Sequence, residues 1–140
     1  MIVLDTNVVS ELMKRTPAAA VIRWVGTQPA ASLFTTTVTR AEIFHGIMLL
    51  PKGRRRTSLD DAATEMFEQD FAGRTLPFGS DSARMYALIA SDRRRLGRPI
   101  SQFDAQVAAI TRSSGAALAT RNVSDFENCG VTVIDPWSSA

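Results

Sequence analysis

The chain holds one cysteine and one histidine among its 140 residues. Cys129 has no partner for an internal disulfide, and His45 stands alone, so neither a disulfide scaffold nor a zinc site built on nitrogen and sulfur is available. No stretch approaches the ~20 apolar residues of a membrane helix. The lone cysteine fits a reducing cytoplasm, and the N-terminus, with no basic run and Asp5 directly after Ile2, Val3 and Leu4, is expected to be neither a signal peptide nor an anchor. Glycine-rich phosphate loops of the GxxxxGK and GxGxxG kinds are missing, and no serine lies in a GxSxG elbow. Nucleotide-loop and serine-hydrolase chemistry therefore fall away with zinc chemistry.

What remains is globular composition, 45% apolar and 21% charged. Residues 1–140 read as one domain, long enough to bury roughly two-thirds of its unfolded surface. The net charge of +2 is mild, but its carriers cluster: Lys52, Arg54, Arg55 and Arg56 form one group, Arg93, Arg94, Arg95 and Arg98 another. Such groups can steer a polyanion. They equally suit solvated helix ends, where the helix dipole favours cations.

Residues 2–4 are an unbroken β-branched and apolar run, the mark of a strand covered on both faces and hence central. A helix is expected over residues 8–14, stopped by Thr16-Pro17, and another over 18–25, closed by Gly26. A strand at 32–36 leads to a helix opened by Thr39 and running to residue 50. Helical spacing covers 56–71, and 76–78 reads as a short strand that Pro77 marks as an edge. A helix over 81–96 breaks at Gly97-Arg98-Pro99, and Ser101 can cap the next one, 102–114, which Gly115 ends. Strands at 117–120 and 131–134 flank a loop or short helical turn at 123–128. Strands alternating with helices specify an α/β layered domain with a mostly parallel sheet, whose active crevice lies beyond the carboxyl ends of the strands.

Acids recur where predicted helices begin. They are Asp5 in Leu4-Asp5-Thr6-Asn7, Glu42 in Thr39-Arg40-Ala41-Glu42, and Asp104 in Phe103-Asp104-Ala105-Gln106. Thr120-Arg121-Asn122 with Asp125 repeats the theme. Each has a local explanation. Thr39 with Glu42 matches a capping box, Ser101 with Asp104 resembles one, and Asp5 can take orphan amides in a strand-to-helix turn. Brought together by one sheet, however, they form an oxygen-only cluster whose members repel unless a cation joins them. Mg²⁺ suits such ligands, keeping several waters beside one or two carboxylates, and so held it supports hydrolysis of phosphodiesters by activated water. His45, on a helix face beside Ile47 and Met48, reads as a surface or packing residue.

The segments Met1 to Glu11, Thr39-Arg40-Ala41-Glu42-Ile43, Asp104 to Ala109, Ala119 to Phe126 and Val133-Ile134-Asp135-Pro136-Trp137 resemble PIN-domain toxins of the VapC type, especially their FitB-like branch. The resemblance spans nearly the whole chain. It implies an α/β/α PIN fold, Mg²⁺- or Mn²⁺-dependent endoribonuclease activity and a cognate VapB- or FitA-like antitoxin. It also implies a homodimer, and operator DNA reached through the antitoxin. The family's first acid maps to Asp5, its Glu to Glu42 and its third acid to Asp104. At the fourth position this chain has Asn122, with Asp125 three residues on, so either completes the cluster. Thr6, Asn7 and Thr120 are expected to orient the acids, or to serve turns and caps.

Three readings follow. The first is a metal-dependent ribonuclease acting as a toxin. The second is a catalytically inactive PIN-like module that binds antitoxin and nucleic acid, kept open by Asn122. The third is a phosphomonoesterase with Asp5 as nucleophile, weakened because the acid wanted two residues later is Asn7.

Overall fold

A computed structural model describes residues 1–138 of the chain. The strands are β1 (Ile2–Leu4), β2 (Leu33–Thr36), β3 (Thr75–Leu76), β4 (Ala117–Ala119) and β5 (Val133–Ile134). The helices are α1 (Thr6–Leu12), α2 (Ala19–Gly26), α3 (Thr37–Met48), α4 (Arg54–Glu65), α5 (Ser80–Arg95) and α6 (Gln102–Ser113). A π-helical turn, Met66–Asp70, extends α4, and a 3₁₀ turn, Val123–Phe126, follows β4.

The strands form one sheet in the order β3-β2-β1-β4-β5, and every pairing is parallel. β1 is central, as its unbroken apolar run requires. Register sets Val3 beside Phe34 and Leu118, while Leu118 pairs with Val133. Alternation then sends these side chains to one face and Leu4, Leu33 and Ala119 to the other. The first set packs with Ile89 of α5 and with Val107, Ala108 and Ile110 of α6. The second packs with Val8 and Val9 of α1, Trp24 of α2, Ile43 and Ile47 of α3, and Phe67 of the π-helical turn. The result is three layers, with the sheet buried on both faces.

From β1 the chain winds outward through β2 to β3, then α5 and α6 return it to the other side of β1 as β4. The strand order therefore reverses between β1 and β4. Crevices for ligands in open parallel sheets form at such a reversal, beyond the carboxyl ends. Asp5 directly follows β1, and Thr120 directly follows β4.

Three expectations need correction. α3 starts at Thr37, two residues before Thr39, because Thr36 ends β2 in an extended conformation and its hydroxyl takes the Thr39 amide at 3.0 Å. Strand passes into helix with no loop, so Thr39 is not the cap and Thr39 with Glu42 is not a capping box. The group Lys52, Arg54, Arg55, Arg56 lies at the start of α4, where the dipole opposes cations, so a favourable helix end does not account for it. Arg93 is not a solvated residue: it is 4% exposed. The remaining boundaries fall within about three residues of expectation, β3 is the edge before Pro77, Gly115 ends α6 at φ 65°, and His45 is exposed. Among the described residues no helix is long and apolar enough to cross a membrane.

Glu11, buried at the end of α1, accepts from Lys14 Nζ and from the Ala18 amide, both at 2.9 Å, and so fixes the turn into α2. Those bonds, the Lys14 contact foremost, hold its carboxyl below its ordinary pKa. Leu118 is fully buried at the centre of the sheet. Leu118→Ala is expected to lower unfolding free energy by about 2–5 kcal/mol, the range for a large-to-small change in a packed core. Urea denaturation measures it, and a loss below about 1 kcal/mol would mean the two faces are not packed as described.

Candidate active site

Asp5 caps α1 and is nearly sealed from solvent. Its Oδ1 accepts the Thr6 amide at 2.9 Å and its Oδ2 accepts the Thr120 hydroxyl at 2.8 Å, with Asn7 Nδ2 at 3.4 Å. The Thr120 hydroxyl also accepts from Asn7 Nδ2 at 3.2 Å and from the Asn122 amide at 3.1 Å. One donor and two lone pairs are thereby all in use, which leaves this hydroxyl a single orientation. Asn7 Oδ1 accepts the Arg121 amide at 3.2 Å. The start of α1 and the segment after β4 are in this way laced together over the reversal point.

Glu42, on α3, joins from the other side. Thr6 donates its hydroxyl to Glu42 Oε1 at 2.9 Å, and the Thr39 hydroxyl lies 3.1 Å from Thr6 Oγ1. Thr39 is fully buried, one helical turn before Glu42 on the same face. Its place in the network went unrecognised in the sequence, where it passed for a cap. Asp104 sits in the first turn of α6, and its amide donates to Ser101 Oγ at 3.2 Å, so this cap is real. Asp125 lies exposed in the 3₁₀ turn, and Asn122 precedes that turn with its amide on Thr120.

Electrostatics ties the acids into one group. Burial pushes the Asp5 carboxyl from 3.8 up to about 6, against the hydrogen bonds from Thr120 and Thr6, and the charges of Asp104 and Glu42 push the same way. Burial also raises Glu42, with Asp104 adding to it and the Thr6 bond opposing. Asp104 is raised by burial first, is lowered by the Ser101 bond, and then feels Asp125 upward and Arg93 downward. The charges thus link Asp5, Glu42, Asp104 and Asp125, while Thr6, Asn7 and Thr120 hold Asp5, and Thr6 also holds Glu42.

The donors are all oxygen, which suits a hard cation. Among the described residues no three acidic, histidine or cysteine side chains stand close enough to close on one ion together. That fits an ion held by one or two carboxylates with water completing its shell, the habit of Mg²⁺. A cleft of about 1130 Å³ adjoins the cluster. Thr6 and Glu42 help line it, together with Lys14, Arg15, Arg54 and Arg55, over a mainly apolar floor from α3 and α4.

Fold and site together define a class: an α/β/α domain with acidic side chains near the point where its parallel sheet reverses strand order. Within that class the chain belongs to the PIN-domain family, whose model matches residues 2–129, and to its VapC and FitB toxin branch. It is similar to the VapC ribonuclease Y4jK of Sinorhizobium fredii, 39% identical over 140 residues that span 100% of both chains. It is also similar to toxin FitB of Neisseria gonorrhoeae, 33% identical over 137 residues that cover 98% of this chain and 99% of the toxin. In the structure of FitAB bound to an IR36 DNA fragment, one chain matches with a TM-score of 0.92 at 32% identity, covering 100% of this chain and 98% of that one. The resemblance drawn from the sequence motifs holds, and with it the α/β/α fold.

A carboxyl that holds its proton more tightly when folded contributes stability at low pH and loses it as pH rises. For Asp5 the window runs from about 4 to just above 6, and the loss reaches about 3 kcal/mol in metal-free protein. Glu42 and Asp104, raised in the same direction, add to it. Urea unfolding in EDTA is therefore expected to give lower stability at pH 7.5 than at pH 5, with a shallower decline in Asp5→Asn. A flat profile in the unsubstituted chain would contradict the buried charge cluster.

Proposed function

We propose that this protein is a Mg²⁺-dependent endoribonuclease, with Mn²⁺ able to substitute, and the toxin of a VapBC-type toxin-antitoxin pair in the cytoplasm. The observation that carries the reading is the network in which Thr6 and Thr120 hold Asp5 and Thr6 holds Glu42, with the charge of Asp104 reaching both acids, beside a basic-walled cleft. The ribonuclease name of its 39%-identical relative supports it. The FitAB complex on DNA supports an antitoxin partner through which operator DNA is reached. The VapC and FitB likeness also leads us to assign a homodimer.

Asp5 and Asp104 are the direct ligands in this reading, and Glu42 binds directly or through water. A bound divalent ion supplies Lewis acidity to the phosphodiester and a lowered pKa to the attacking water. Thr120 and the Thr6 amide hold both oxygens of Asp5 in place, so that little reorganisation is needed at the moment of reaction. Thr6 sets the Glu42 carboxylate in the same way. Asn122 or Asp125 completes the cluster and orients the water, the choice resting on which side chain turns inward when substrate is present. Lys14, Arg15, Arg54 and Arg55 are placed along the cleft to meet backbone phosphates, contacts that position RNA without reading its sequence.

Asn122 keeps a second reading in view, a PIN-like module that binds its partners without cleaving. The intact Asp5, Glu42 and Asp104, each still coupled to another acid, favour catalysis. A phosphomonoesterase loses support, because Asn7 spends its side-chain amide on Thr120, Asp5 and the Arg121 backbone.

Antitoxin-free protein is expected to cleave members of a panel of single-stranded and structured RNAs with Mg²⁺ or Mn²⁺, and to stop with EDTA. Asp5→Asn and Asp104→Asn should each slow cleavage about 10²–10³-fold, the scale for losing one preorganised charged group. Folded protein that cleaves nothing with either metal would turn the reading to the binding module. Cleavage surviving both substitutions would remove the cluster from the chemistry.

A further inference from the structure

Arg93 belongs to none of the hydrogen-bond networks described so far, yet among the described residues it is the one buried cation. It lies in the last turn of α5 and is 4% exposed. Its Nε donates to the Arg98 carbonyl at 2.7 Å. Its Nη1 donates to the Asp125 carbonyl at 2.8 Å and the Glu127 carbonyl at 3.0 Å, with Cys129 Sγ at 3.5 Å. One guanidinium therefore grips two separate segments. The first is the connection from α5 that leads to Ser101, the cap beneath Asp104. The second is the 3₁₀ turn that carries Asp125 and follows Asn122.

The three ion pairs formed among the described residues are Lys14 with Glu11, Arg95 with Asp92, and Arg98 with Glu127. Arg93 takes part in none of them. A buried charge held only by carbonyls costs stability, and an apolar residue at the same place would cost less. What the guanidinium supplies is geometry: a rigid planar fork that fixes several acceptors at once, which the flexible stem and point charge of lysine cannot reproduce. Its charge also reaches the Asp104 carboxyl, where it opposes the effect of burial.

We infer that Arg93 is a positioning residue for the Asp104 and Asp125 side of the metal site, joining the two segments so that these acids meet the same ion. The inference rests on the metal-dependent reading above. It gives Asp125, exposed and in a short turn, a reason to be held in register with a helix it does not belong to. It also separates Arg93 from its sequence neighbours Arg94 and Arg95, which are exposed.

The test is Mn²⁺ binding by calorimetry to the full chain without RNA, for the unsubstituted protein, Arg93→Lys, Arg93→Gln and Arg94→Ala, with thermal unfolding alongside. Both Arg93 variants are expected to bind Mn²⁺ about 10–100-fold more weakly, the range for losing a group that orients metal ligands. Arg94→Ala, at an exposed neighbour on the same helix, should bind as the unsubstituted chain does. Variants that melt lower but bind Mn²⁺ unchanged would overturn the inference by making Arg93 purely structural. Arg93→Lys binding normally while Arg93→Gln does not would overturn it by making charge, rather than the fork, the cause. If the Arg93 variants do not fold, Mg²⁺ titration of the unsubstituted chain followed by NMR decides. The Arg93 Nε–H and the Asp125 and Glu127 amides should shift with a common midpoint, and signals unmoved at saturation would overturn it. An unsubstituted chain that binds no divalent ion would sink the metal-dependent reading itself, and this inference with it.

Discussion

Asp5 carries a negative charge at a point from which water is nearly excluded, and the rest of the site is arranged around that constraint. Two short hydrogen bonds, from the Thr6 amide and the Thr120 hydroxyl, support its carboxylate, yet burial still lifts its pKa to about 6. The Thr120 bond exists only because β1 and β4 are paired side by side, with Asp5 directly after one strand and Thr120 directly after the other. The sheet therefore does more than bury apolar surface. It fixes the distance between two strand ends to within a hydrogen bond, and the Asn7 bonds to Thr120 and to the Arg121 amide span the same gap, while Glu42 meets Thr6 on the side where β1 pairs with β2.

The same constraint explains the tension in the metal-free chain. Acids that are buried and raise one another's pKa cost stability when ionised, so a cation bound among them would offset that cost. Stability and function pull in opposite directions here, as is common where a fold keeps charges in place for later use. The two packed faces of the sheet, with fully buried side chains at Val3, Leu4, Val8 and Leu118, supply the surplus that lets the cluster persist.

Much of this was legible in the sequence. The unbroken run at 2–4 placed β1 in the centre, Pro77 placed β3 at the edge, and Ser101 marked the start of α6, because each signal acts locally through backbone chemistry. The acids were legible as candidates for a related reason: they stand at strand and helix ends, where topology can bring them together. Thr39 was misread because three successive threonines, 35–37, precede a short apolar step, and propensity alone does not say which hydroxyl caps. Arg93 was misread because its neighbours are solvated and its partners are carbonyls, which every residue possesses. Side chains that bind backbone at long range leave no pattern in residue types.

The parallel pairing of Ile2 with Ala117 has a bearing on how the protein is made. A chain emerging from the ribosome presents Asp5 and Glu42 early, together with β1, β2 and β3, but one side of β1 stays open until β4 is translated. Contacts of such long sequence separation form late, and domains complete as units once their last elements appear. Nearly the whole chain must therefore be synthesised before Asp5 meets Thr120. An interrupted or prematurely terminated product would carry half of the acids and no finished site. The topology thus makes completion of translation a condition for the cluster to exist, a safeguard that resides in the order of the strands rather than in any one residue.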